Sequence, residues 1–131
     1  STSSINVLAT GSNSSFVVKT VSTSLQIADP KDKTANPFEF LLAGFAGYLN
    51  SIGHLAAAAQ GIALNSLQVE IKGSLSTAGF ETVKVLLMPA SAAPLPALQR
   101  WLKEVQEQSS VYSCLASSPM DFVLYKEYTH S

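Results

Sequence analysis

Between Glu39 and Glu70 the chain carries no Asp, Glu, Lys or Arg, and apolar residues dominate that interval. Its ends are marked as those of one helix over residues 36–61: Asn36 suits the cap, Pro37 the first helical position, and Glu39, three residues after the cap, completes a capping-box pattern. Gly61 suits the left-handed position just past the C-terminus. Such a helix is about 36 Å long, the width of a small domain. Phe40, Leu41, Leu42, Phe45, Tyr48, Leu49, Ile52 and Leu55 point in nearly every direction, so it needs cover on most sides. A membrane span is the rival reading, since about 20 apolar residues suffice. Asn50, Ser51 and His54 interrupt the run, no Lys or Arg cluster flanks it, and its neighbours read as strands of a soluble fold. A buried central helix is therefore expected, with no membrane partner.

The flanking patterns predict the remaining elements. Residues 5–9 alternate weakly, Gly11, Ser12 and Asn13 supply turn chemistry, residues 15–21 are β-branched and aromatic, and Leu25 and Ile27 alternate with Ser24 and Gln26. Together they read as a three-stranded antiparallel meander. Residues 29–35 form a polar loop with Pro30; its Lys31 and Lys33 either cover a pocket rim or are simply solvated. After the helix, Leu67, Val69 and Ile71 alternate with Gln68, Glu70 and Lys72, the period of a half-buried strand over 66–75. A turn at Thr77, Ala78 and Gly79 leads to its hairpin partner at 82–88. Pro89, Pro94 and Pro96 bracket a linker to a second helix at 97–108, with Leu98, Trp101, Leu102 and Val105 on the inner face and Arg100, Lys103, Glu104 and Glu107 outside. A short helical turn at 109–117 and a last strand at 120–128 follow. The class is α+β with mainly antiparallel sheet, in a single domain over residues 1–131.

Charge changes this picture in one respect. Only 13% of the 131 residues are charged, 8 basic against 9 acidic, which suggests that another subunit covers part of the surface. A net charge of −1 offers no electrostatic footprint for nucleic acid. One cysteine excludes an internal disulfide framework, and no basic-then-apolar leader opens the chain, so the expected location is cytoplasmic. No metal-ligand spacing, phosphate loop or nucleophile elbow occurs, and no cofactor is expected.

Two stretches carry a resemblance. Pro37, Glu39, Leu41, Leu42, Ala43, Gly61 and Ile62 match a motif of Asn-Pro, Glu, a Leu/Ala-rich run, a cysteine eleven residues past the proline, and Gly-Ile. Ser109, Ser110 and Val111 stand where a Cys-Pro-Val stretch follows an amphipathic helix. In these motifs, and in element order, the chain resembles the OsmC/Ohr family of thiol-dependent hydroperoxide reductases. The resemblance implies an intertwined homodimer, with the two long helices packed at the centre, the sheets outside, and two active sites between subunits. It implies a peroxidatic cysteine in the central helix and a resolving cysteine after the second: a thiolate attacks peroxide, the sulfenic acid condenses with the second thiol, and a dithiol resets the pair. An arginine from the early strands and a glutamate near the helix start assist.

The family's cysteine positions are here Tyr48 and Ser109, and the only arginine is Arg100, in the second helix. Glu39 stands two residues past Pro37, whereas the Ohr branch places its acid one past, where this chain has Phe38. A phenol and a hydroxyl cannot replace a redox thiol couple. Cys114 is the only thiol; five residues after Ser109, on a helix it points about 140° away from the site. It reads as a buried small hydrophobe or, alternatively, as a reactive thiol. Glu39 is a capping acid, a ligand contact, or both. His54 is a hydrogen-bonded core or interface residue, or a base with no nameable partner. Tyr48 fills the cysteine pocket, and its hydroxyl needs a partner, Ser109 or Glu39 being the expected ones.

The expected function follows: an OsmC-like protein without the two-cysteine couple, keeping an inter-subunit pocket for a small, partly apolar or peroxide-like ligand, lined by Phe38, Glu39, Tyr48 and Ser109. The alternatives are a hydroperoxide reductase working through Cys114 and a closed, inert scaffold.

Overall fold

The computed structural model describes residues 5, 7–12, 15–19, 24–28 and 37–126. They fall into two compact units, Ser1–Ala43 and Gly44–Ser131, with the boundary inside the central helix. The expected Asn36 cap and the 29–35 loop with Lys31 and Lys33 lie outside the described residues.

The first unit holds three strands, β1 (Leu8–Ser12), β2 (Ser15–Lys19) and β3 (Ser24–Ala28), in the antiparallel order β1-β2-β3. This is the expected meander, with its first strand moved toward the C-terminus of the 5–9 segment. Gly11 and Ser12, expected as turn residues, form the last rungs of the ladder against Phe16 and Ser15, because each still supplies a backbone N–H and C=O. The first turns of α1 (Pro37–Ala59) also belong here, with Phe38, Glu39 and Leu41 exposed.

In the second unit α1 continues to Ala59 and ends as its glycine predicts. Gly61 has φ +69°, its N–H donates to the Ala58 carbonyl at 3.2 Å, and the Ile62 N–H donates to the Ala57 carbonyl at 2.8 Å, the pair of bonds of a Schellman motif. β4 (Ser66–Ser76) and β5 (Gly79–Ala90) form a long antiparallel hairpin around Thr77 and Ala78. Gly79, at φ +117°, supplies a backbone conformation closed to other residues, and the Ser76 hydroxyl ties the turn to the Gly79 carbonyl at 3.2 Å. α2 (Leu95–Gln108) then carries the chain back, a 3-10 turn follows at Ser110–Leu115, and β6 (Asp121–Leu124) closes the sheet β4-β5-β6. β6 pairs parallel to β5; residues 127 and 128 of the expected 120–128 strand lie outside the described residues. The helix crossover returns the chain to run in the direction of the strand it left, which a hairpin cannot do. The three other strand pairs among the described residues are antiparallel.

Alternation builds the core: Leu67 from β4 and Val83, Val85 and Leu87 from β5 are buried, as are Leu98, Trp101 and Val105 of α2. α1 adds Phe45, Leu49, Ile52, Ala56 and Ala57, all on one face. It passes the length and composition test for a membrane span, but this buried face is that of a core helix. The opposite face, Gly44, Gly47, Ser51, Leu55 and Ala58, is exposed, so one chain buries the helix along a single stripe rather than on most sides.

Gly53 sets how closely α1 approaches its neighbours. A Cβ there would lie 2.5 Å from the Leu67 side chain and 3.3 Å from the Trp101 ring. The indole N–H of Trp101 donates to the Gly53 carbonyl at 2.7 Å, and the Asn50 carboxamide donates to the Leu67 carbonyl at 2.8 Å. Gly53→Ala is therefore expected to destabilise the protein by about 1–3 kcal/mol through overpacking, despite alanine's better helix propensity. Urea unfolding measures this; an unchanged or raised midpoint contradicts the close approach.

Candidate functional site

The two stretches of the central helix and the α2 terminus that carry the sequence motifs meet in the second unit. Phe45 and Tyr48 stand three residues apart on α1 and so share a face. The Tyr112 ring, on the 3-10 turn, lies against both. Its centroid is 4.7 Å from Phe45 with the planes 25° apart, and 5.1 Å from Tyr48 with the planes 47° apart. These are favourable aromatic separations, each worth about 0.5–1.5 kcal/mol beyond area burial. The Tyr48 hydroxyl donates to the Gln108 backbone carbonyl at 3.0 Å. That carbonyl ends α2, where the last turn leaves oxygens without intrahelical donors, so the phenol satisfies one of them. Ser109 is 3% exposed, and its hydroxyl donates to the Gln106 carbonyl at 3.0 Å. Beside it opens a cleft of about 300 Å³ whose lining includes Ser110, Ser113, Met120 and Phe122 and, among the described residues, no ionisable group.

Comparison with known proteins decides the family. The profile described as OsmC-like protein matches residues 30–123. The chain belongs to the OsmC-like family. No curated protein matches it. Among solved structures, the OsmC-like protein of Mycoplasma pneumoniae is similar at 18% identity with a TM-score of 0.81, over 98% of this chain and 99% of that one. The organic hydroperoxide resistance protein OsmC of Legionella pneumophila is 18% identical, with a TM-score of 0.69 over 98% and 99% of the two chains. OhrB, the organic hydroperoxide resistance protein of Bacillus subtilis, is 15% identical, with a TM-score of 0.65 over 95% and 98%. At these identities the likenesses show the fold.

Within this OsmC-like chain, the structure brings Tyr48 and the Ser109 segment close together. Tyr48 bonds the residue next to Ser109, although its partner is the Gln108 carbonyl and neither of the expected groups, Ser109 or Glu39. A backbone oxygen at a helix terminus is the stronger claimant, because the helix itself supplies it no donor. Phe38 and Glu39 belong to the first unit, where both are exposed. Arg100 is exposed on α2, as its polar-face position predicts. Cys114 differs from the buried small hydrophobe expected of it: it is exposed on the 3-10 turn, with its sulfur 3.9 Å from the Val111 carbonyl. The tighter turn, with about three residues per turn, presents it to solvent. His54 is exposed rather than in the core, its Nδ1 2.9 Å from the Asn50 carbonyl, so Nδ1 carries the proton in the neutral ring.

Sequence reasoning overlooked Tyr112 and Gln108. Tyr112 follows Ser109 by three residues, one turn of a 3-10 helix, and that spacing was the available signal. Gln108 acts through its backbone, which no residue type announces. Replacing Tyr48 with Phe keeps the ring contact and orphans the Gln108 carbonyl. The expected loss is about 0.5–1.5 kcal/mol in urea unfolding; a parental midpoint shows that water serves that carbonyl equally well.

Proposed function

We propose that this chain is an OsmC-like protein in which the thiol chemistry has been replaced by aromatic packing, and that it works as a homodimer binding a small, partly apolar molecule between subunits. The observation that carries this reading is the Tyr48 to Gln108 hydrogen bond, made from a position where the family resemblance implies the attacking sulfur. A chain with one cysteine cannot close the two-cysteine cycle within a subunit. Phe38, Glu39, Tyr48 and Ser109 are the side chains assigned to the pocket, in one OsmC-like domain located in the cytoplasm. No metal, nucleic acid or membrane enters the mechanism.

The dimer rests on the uncharged outer stripe of α1. Among the described residues, nothing outside the helix's own backbone lies within 4 Å of where a Cβ would stand on Gly44 or Gly47, so a second helix can approach closely there, and Leu55 offers apolar area beside them. Light scattering is expected to give twice the 13.8 kDa chain mass, and Leu55→Arg to return it to that of one chain. A monomeric parent removes the dimer and the inter-subunit pocket with it.

The exposure of Cys114 favours a second reading, a one-cysteine peroxidase. Its thiolate would take one oxygen from a hydroperoxide, giving the alcohol and a sulfenic acid, which an external dithiol would reduce with release of water. Peroxide consumption with dithiothreitol separates the two. Equal background rates for the parent and Cys114→Ser are the expected result, and a rate at least tenfold lower in the variant establishes the peroxidase instead (about 1.4 kcal/mol in barrier).

A further inference from the structure

A second cleft, of about 230 Å³, lies on the outer face of the β4-β5-β6 sheet, where β4 begins and β5 ends. Leu67 and Leu87 face the core, so their neighbours Ser66, Gln68 and Met88 face outward. Gln68 pairs with Met88 across the hairpin. Leu87 pairs with Leu124 in the parallel ladder, and the Tyr125 N–H continues it by donating to the Leu87 carbonyl at 2.8 Å, which places Tyr125 beside Met88. A carboxamide, a thioether and a phenol ring thus stand in one row across the sheet.

The rim around this row is built before any ligand arrives. The Asn65 N–H donates to the Ala90 carbonyl at 2.9 Å, and the Ser91 hydroxyl donates to the Ala63 carbonyl at 2.7 Å while accepting from the Ala93 N–H at 3.1 Å. The Lys126 ammonium is turned to the Ala93 carbonyl at 2.6 Å. These bonds leave the cleft's own recognition groups unused. Among the described residues, the Asn65 and Gln68 carboxamides and the Tyr125 hydroxyl have no protein partner, and Tyr125 is 53% exposed. None of the described residues that line the cleft is charged.

We infer that this cleft binds a flat, uncharged heterocycle of nucleobase size whose edge carries adjacent hydrogen-bond donors and acceptors. Each carboxamide presents a donor and an acceptor side by side, the pattern that complements the edge of an adenine-type ring. Tyr125 supplies a stacking face, and Met88 a polarizable floor that favours contact with an aromatic ring. The volume falls below the range of about 300–1,000 Å³ usual for larger ligands and suits a single ring system. Among the described residues no cation lines the cleft, and the Lys126 ammonium on its rim is engaged by the Ala93 carbonyl, which selects against a phosphate. The inference is independent of the pocket proposed around Tyr48.

Adenine is the probe, followed by ¹H–¹⁵N spectra of the full chain, with glucose and adenosine monophosphate as separate arms. Saturable shifts are expected at residues 65–68, 88–92 and 125, with a dissociation constant of about 1 mM or below. Tyr125→Ala is expected to weaken adenine about tenfold. Gln68→Leu is expected to weaken it severalfold, whereas Tyr48→Phe leaves it unchanged. Both Gln68 and Tyr125 are exposed, so these variants keep the fold, and their unperturbed spectra elsewhere verify it. Three results overturn the inference: no saturable shift with adenine, parental affinity in Tyr125→Ala, or stronger binding of glucose or the monophosphate at these residues. Adenine shifts at Tyr48 and Tyr112 alone also overturn it, while supporting the other pocket.

Discussion

The second unit depends on one close approach, α1 against α2 and β4 at Gly53. Absence of a side chain there admits the Leu67 methyl and the Trp101 ring, and the indole N–H then finds the Gly53 carbonyl. A buried indole needs a partner for its N–H, and a helix carbonyl has a second lone pair to offer. The bond therefore joins packing and polar satisfaction in one contact. It sets the depth and rotation of α1, and with them the direction in which Phe45 and Tyr48 point.

From that rotation the aromatic cluster follows. Tyr112 meets Phe45 and Tyr48 because the 3-10 turn carries it toward α1, while Ser110 and Ser113, one 3-10 turn apart, face the neighbouring cleft. The phenol closes the end of α2 by bonding Gln108, and Ser109 closes another carbonyl through its own hydroxyl. Tyr48 and Ser109 thus both serve the structure at the end of α2. Their polar atoms are held by backbone oxygens, and none of the described residues lining the cleft beside Ser109 is ionisable.

The same pleat gives the sheet two unlike faces. Leu67, Val83, Val85 and Leu87 are buried inward, while Gln68, Met88 and Tyr125 stand outward in one row. The parallel return of β6 matters here, since it brings Tyr125 level with Met88 at the mouth of the outer cleft. An antiparallel strand would have offered a different residue.

Local chemistry determined much of this protein before folding: Gly61 at the end of α1, the Gly79 turn, the alternation of β4 and the inner face of α2 each act within a few residues, so they are legible along the chain. The family could also be read from short motifs. Tertiary structure alone decided the direction of β6, the exposure of Cys114 and the partner of Tyr48. Those depend on which distant backbone groups are left unpaired after the helices dock, and a backbone carbonyl such as that of Gln108 has the same identity at every position until the fold leaves it without a donor.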